Sequence, residues 1–91
     1  MANFIVSYDL NGPSPSHHEM DEHLQKLGGT RGRLLETVWY VKTEGMTHVT
    51  LRNYVAAILQ PEDQLLVVDC YAAAWQNLLV TDASFKGAWE S

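Results

Sequence analysis

The stretch Asn3-Phe4-Ile5-Val6-Ser7-Tyr8-Asp9-Leu10 decides how the 91-residue chain is expected to fold. Its β-branched and aromatic residues predict a buried strand, and the turn cluster Asn11-Gly12-Pro13 ends it. Side chains alternate between the two faces of a strand, so this segment has an apolar face and a face that ends in a carboxylate. The first face carries Phe4, Val6 and Tyr8, and the second carries Ile5, Ser7 and Asp9.

A first helix is predicted from about residue 15 to residue 27. Ser16 followed three residues later by Glu19 fits a capping box, although Ser14 before Pro15 is a competing N-cap. Apolar residues at helical spacing follow, and Gly28-Gly29 supplies the left-handed residue that commonly ends a helix.

The rest of the chain predicts a second helix between strand-like segments. Residues 33–43 are rich in strand formers but exceed the typical strand of about five or six residues, so they are either one bent strand or two strands. Thr47 can cap a helix that Pro61 prevents from continuing. Residues 64–71 form an apolar run typical of a central strand. Helix-compatible composition recurs at 72–79 and 83–89.

This order of elements predicts one α+β domain over residues 1–91 with the ferredoxin-like βαββαβ pattern. The core is expected at about residues 3–70 and a helical C-terminal tail at about 72–91. Two helices would cover one face of an antiparallel sheet and leave the other face to a partner or ligand. We therefore expect a homodimer that buries the face carrying Ile5, with the tail adding apolar surface on either protomer.

Composition restricts the partners and the compartment. Eleven acidic and six basic residues give a formal charge of -5, which disfavours non-specific binding to phosphate backbones and anionic lipid. Cys70 is the one cysteine, which excludes an intramolecular disulfide and fits a reducing compartment. The sequence shows neither a basic leader nor an apolar run of about 20 residues, so we expect a cytoplasmic protein without a membrane span.

A family resemblance rests on the strand ending Tyr8-Asp9-Leu10, the helix after it, the Gly28-Gly29 turn and the strand Leu35-Glu36-Thr37-Val38-Trp39-Tyr40-Val41. Over roughly residues 3–70 the chain resembles the superfamily of the smaller CRISPR adaptation protein and VapD-type toxins. Members of that superfamily are small ferredoxin-like homodimers, and several are described as metal-dependent nucleases with a strand-end aspartate in a site between protomers. The resemblance implies an endonuclease acting on RNA or DNA, with Asp9 at the catalytic, metal-binding position.

Asp9 is also the strongest candidate from strand parity, which directs it away from the expected helices. A dimer could bring two Asp9 carboxylates together, and a shared proton or a hard cation such as Mg²⁺ or Mn²⁺ would relieve their repulsion. In phosphodiester hydrolysis that metal would activate water and stabilise charge on the phosphate. The structural alternative is that Asp9 accepts backbone hydrogen bonds in the turn after the strand.

Arg31 and Arg33 are the candidate nucleic-acid contacts, because they share strand parity beside Gly32 and guanidinium groups bind phosphate bidentately. The alternative is that they pair with Glu36 or with acidic residues of the first helix. Binding to RNA or DNA is expected to be weak, because the chain has only six Lys and Arg residues.

Two further groups have a structural interpretation that we favour over a chemical one. In residues 17–23, His18 and Glu22 lie four positions apart and could share a metal, yet acidic first turns and exposed histidines are ordinary on a helix. Cys70 lacks a CxxC partner, which favours a packing role over a nucleophile.

The resemblance and the strand-end position of Asp9 together favour a small dimeric protein of that superfamily, acting on nucleic-acid phosphodiesters through Asp9 and a divalent cation. The alternative is a catalytically inactive dimer that serves as a protein-interaction or assembly module. The acidic net charge favours this alternative, whereas the strand-end position of Asp9 favours the enzyme.

Overall fold

The computed structural model describes residues 2–90, and in that range it has four strands and three helices. These elements are β1 (Asn3–Asp9), α1 (His17–Gln25), β2 (Thr30–Leu35), β3 (Val38–Lys42), α2 (His48–Ala56), β4 (Gln64–Cys70) and α3 (Asp82–Glu90).

The four strands form one antiparallel sheet in the order β2-β3-β1-β4. β1 lies between β3 and β4, so β4 is an edge strand. Its apolar run had predicted a central position, which is wrong. A continuous apolar run is typical of a central strand because such a strand is buried on both faces. In β4 only alternate side chains pack on the core: Leu65 and Val67 are partly buried there, whereas Leu66 and Val68 are exposed.

The inner face of the sheet is the face covered by α1 and α2. The inward side chains Phe4, Val6 and Tyr8 of β1 are buried there, as strand alternation predicts. Burying side chains of this size provides the main driving force for folding. The rest of this buried cluster comprises Met20, Leu24, Leu27, Trp39, Val41, Leu51 and Val55.

The outer face is the face that carries Ile5, and α3 packs over part of it. Here Leu34, Tyr40 and Phe85 are buried, and Ile5 is partly buried beside them. The expectation that this face lacks a covering element is therefore wrong for β3 and β2, because the tail folds back over those strands. It holds along β4, where Leu66 stays exposed.

The segment that connects β4 to α3, residues 71–81, contains no helix in the described chain, so the helix predicted at 72–79 is wrong. Asn77 adopts a φ of 55°, a left-handed conformation that interrupts a helix. Trp75, Leu78 and Val80 from this segment pack instead against the outer-face cluster. Tertiary packing has overridden a helix-compatible composition.

Local signals identify the N-caps of α1 and α2, although α1 begins at His17, two residues later than the predicted start at about residue 15. Ser16 with Glu19, and Thr47 with Thr50, form complete capping boxes. α1 ends at Gln25, two residues earlier than expected, and Gly29 adopts a φ of 84° in the turn that follows. Residues 36–37 divide the long segment at 33–43 into two strands.

Within residues 2–90, none of the helices has the length and hydrophobicity that a membrane span requires.

Candidate functional site

Asp9 lies at the end of β1, exposed, on the outer side of the sheet. It is opposite Gln64 of β4 in the strand register. A shallow groove of about 260 Å³ lies at this point. The groove is lined by Ser7, Tyr8, Asp9, Gln64, Leu65 and Leu66.

The turn after β1 is held by Asp63 and not by the Asp9 carboxylate. The Asn11 backbone N–H donates to Asp63 Oδ1 at 2.8 Å, and Asn11 Nδ2 donates to the backbone carbonyl of Asp9 at 3.4 Å. Within residues 2–90 the Asp9 carboxylate makes no hydrogen bond or ion pair. The Asp9 carboxylate therefore faces solvent and does not accept the backbone hydrogen bonds that the structural alternative assigned to it.

Hard cations such as Mg²⁺ prefer oxygen ligands. The groove offers the Asp9 carboxylate, the Ser7 hydroxyl and the Gln64 amide oxygen. Among the described residues, no three His, Cys, Asp or Glu side chains gather into a metal-ligand group. One protomer thus supplies a single carboxylate here, and Mg²⁺ or Mn²⁺ binding at Asp9 stays a prediction.

Arg31 and Arg33 have the same parity, as expected, but they lie on the inner side of the sheet. Their register partners in β3 are Val41 and Trp39, which belong to the inner core. Asp9 points to the outer side, so the fold does not bring the two arginines and Asp9 into one site.

Arg33 pairs with Asp21 of α1, which is one of the alternatives that the sequence left open. The hydrogen bond that Arg33 donates to the Asp21 carboxylate raises the pKa of Arg33, and the guanidinium also lies 5.8 Å from the centroid of the Trp39 ring. Arg31 donates to the Gly29 carbonyl at 3.3 Å. Both guanidinium groups therefore already have protein partners.

A buried polar cluster beneath α1 was not predicted. Tyr8 and Trp39 are almost fully buried next to the Arg33 and Asp21 pair. Burial raises the pKa of Tyr8, the Asp21 carboxylate raises it further, and Trp39 and Arg33 act in the opposite direction. Strand parity places Tyr8 inward, but only the three-dimensional packing brings Asp21 to it.

The histidines of α1 do not gather at one point. His18 lies 3.0 Å from Glu22 on the exposed side, as the spacing of four residues predicts. His23 instead stacks on Tyr54 of α2 with ring centroids 4.1 Å apart, and its Nε2 donates to the Tyr54 carbonyl at 2.6 Å. Tyr54 in return donates its hydroxyl to the His23 carbonyl at 2.7 Å, so this histidine joins the two helices.

The exposed apolar surface next to Asp9 is what we call the β4 strip, formed by Leu66 and Val68. Leu66 is 60% exposed and Val68 is 38% exposed, on the outer face of an edge strand. Residues 64–68 of this strand carry no charge. The sequence predicted an exposed apolar face centred on Ile5. The outer face is apolar, but its exposed part lies on β4, and Ile5 is partly buried.

Comparisons of the chain with protein-family models, curated proteins and solved structures returned no match. The geometry of the described residues is therefore the basis for a functional assignment.

Proposed function

We propose that this protein is a homodimeric assembly module of ferredoxin-like fold whose two protomers join along β4. The strand order β2-β3-β1-β4, with α1 and α2 on the inner face, supports that fold. The observation that carries the dimer is the β4 strip on an edge strand. An edge strand has backbone N–H and C=O groups directed outward, which form a template for pairing with another chain.

A second copy of the chain fits this edge because β4 is complementary to itself. Antiparallel pairing centred on Val67 sets Leu66 opposite Val68 of the partner subunit, so the two apolar strips meet. Such cross-strand apolar pairs stabilise a sheet. The absence of charge over residues 64–68 also matters, because two chains that each carry a formal charge of -5 repel one another elsewhere.

Leu66→Asp tests this interface against a matched control, Leu79→Asp. Both leucines are 60% exposed, but Leu79 lies beside β2 at the opposite edge of the sheet. Light scattering is expected to give a dimer mass for the unmodified protein and Leu79→Asp, and a monomer mass for Leu66→Asp. A monomer at all concentrations for the unmodified protein, or equal loss of dimer in both variants, would contradict the proposal.

A second candidate function is metal-dependent cleavage of RNA or DNA phosphodiesters. It is favoured by the Asp9 carboxylate, which lies exposed in its groove without a partner among the described residues. In this activity the cation would bind Asp9 and activate water for attack on phosphorus.

The two functions require different arrangements of Asp9. In the dimer centred on Val67, the two Asp9 residues are separated by about six residues along the strands and three strand spacings across them, or about 25 Å. One cation cannot bridge that distance. The β4 dimer therefore predicts two separate Asp9 sites, and a shared metal would require the outer faces to pack against each other.

A further inference from the structure

Helix α3 is attached to the sheet mainly at its C-terminal end. Lys42 of β3 donates from Nζ to the carbonyls of Ala88 and Trp89, each at 3.1 Å. The Tyr40 hydroxyl donates to the Ala88 carbonyl at 3.2 Å, and Asn3 Nδ2 donates to the Trp89 carbonyl at 3.4 Å. The helix thus rests on three polar side chains from β1 and β3.

We propose that α3 is a lid over the outer face that opens as a unit while the sheet and the two inner helices stay folded, and that Lys42 is its latch.

Lys42 is suited to this role because its side chain is buried only while α3 is closed. The residue is 4% exposed, and an ammonium group removed from water needs compensating partners. The last carbonyls of a helix supply them, since they are unpaired within the helix and carry its negative dipole end. Hydrogen bonds of this charge-assisted kind are stronger than neutral ones.

The buried cluster beneath α3 contains far fewer side chains than the buried cluster beneath α1 and α2. Among the described residues, three side chains are buried in the outer cluster, whereas ten are buried in the inner one. The segment 71–81 adds one backbone hydrogen bond to the sheet in the described chain, from Leu79 N–H to the Leu34 carbonyl at 2.9 Å. Regions with few buried apolar contacts open locally at lower free energy than the rest of a protein.

Opening of the lid would change the surface next to β4. Ile5 lies opposite Val68 on one side and opposite Tyr40 on the other, so the three side chains form a continuous row across β4, β1 and β3. α3 covers the Tyr40 end of that row and leaves the Val68 end exposed. The lid therefore sets how much apolar surface adjoins the β4 strip. Its effect on association rests on the proposed dimer, but the lid motion itself does not.

Hydrogen exchange read by mass spectrometry tests the lid in the full-length protein. In the unmodified protein, amides of α3 are expected to exchange faster than those of β1 and β3. Lys42→Met keeps the approximate length of the side chain but removes its charge-assisted bonds to the Ala88 and Trp89 carbonyls, so α3 should exchange about tenfold faster or more, with β1 unchanged. Lys26→Met, at an exposed lysine, is the control and should leave both rates unchanged.

Tyr40→Phe is a milder variant that keeps the ring and removes only the hydroxyl. It should also accelerate α3 selectively, by a smaller factor. Equal exchange of α3 and β1 in the unmodified protein would overturn the proposal, and so would unchanged α3 exchange in both latch variants. Failure of the dimer is distinguishable, because Leu66→Asp should yield monomers in which α3 still exchanges faster than β1.

Discussion

Arg33 of β2 and Asp21 of α1 form an ion pair that joins an edge of the sheet to the helix packed over it. Their side chains are only 34% and 26% exposed, so the pair is partly shielded from solvent. The Asp21 carboxylate offsets the charge of this guanidinium, which reduces its attraction for a phosphate. This relationship weakens the case for Arg33 as a nucleic-acid contact.

Affinity for random duplex DNA is accordingly expected to be low at physiological salt. Arg31→Ala combined with Arg33→Ala should reduce the residual binding and make its salt dependence shallower, because fewer counterions are released. Fluorescence anisotropy of a labelled duplex over a salt series measures both quantities. Tight binding that is insensitive to salt, or no change in the double variant, would show that these arginines are not the contact.

Cleavage of RNA or DNA, if the Asp9 site is an active one, should require Mg²⁺ or Mn²⁺ and be abolished by Asp9→Asn. This substitution removes the charge while changing the volume little. Asp69→Asn is the control, because Asp69 is an exposed carboxylate near the other end of β4. The assay is cleavage of labelled oligonucleotides with and without chelator. Cleavage that persists after both chelation and Asp9→Asn would exclude this site as its source.

Gly29→Ala should lower the free energy of unfolding by about 2 kcal/mol or more, because it combines left-handed backbone strain with a steric clash. Gly29 has a φ of 84°, and a Cβ at this position would clash with the Lys42 carbonyl oxygen. Gly28→Ala is the matched control, since a Cβ there meets nothing within 4 Å. Urea denaturation measures both, and equal effects of the two substitutions would contradict this account.

Alkaline pH should destabilise the fold partly through Tyr40. Burial raises the pKa of Tyr40 from 10.0 to about 12. Between these values the unfolded chain has lost the phenolic proton and the folded chain has kept it, so stability falls as pH rises, by about 2 kcal/mol for this group.

Tyr40→Phe removes that dependence and also the hydroxyl hydrogen bonds to Asn3 and Ala88. The variant should be less stable by about 1 kcal/mol near neutral pH, whereas its stability should equal that of the unmodified protein at about pH 11 and exceed it by about 1 kcal/mol toward pH 12. Urea denaturation at several pH values measures the two curves. Tyr71→Phe is the control because its side chain is 98% exposed, and parallel curves for Tyr40→Phe would contradict the prediction.

Features set by neighbouring residues could be predicted from the sequence. The capping residues Ser16 and Thr47 act within one helical turn, and the alternation of β1 correctly placed Tyr8 inward and Asp9 outward. The position of β4 in the sheet could not be predicted in the same way. An apolar run indicates that a strand is at least partly buried, but it does not indicate whether the strand has neighbours on one side or on both.

The partners of the charged and aromatic groups depend on contacts between distant parts of the chain. Arg33 could have met Glu36 or several acids of α1, and only the packing of the helix selects Asp21. The stacking of His23 on Tyr54 joins residues 31 positions apart, for which the spacing within α1 gives no signal. The position of α3 over the outer face likewise depends on the path of residues 71–81, which the local sequence does not specify.

The two edges of the sheet differ in a way that would limit the proposed assembly to two subunits. Along β2, the Leu34 carbonyl already accepts from Leu79, and the register shifts between Arg33 and Leu35. β4 has neither feature in the described chain. A symmetric pair formed through β4 would have its two unoccupied edges facing each other and its two obstructed edges at the ends, so further copies could not extend it into a filament.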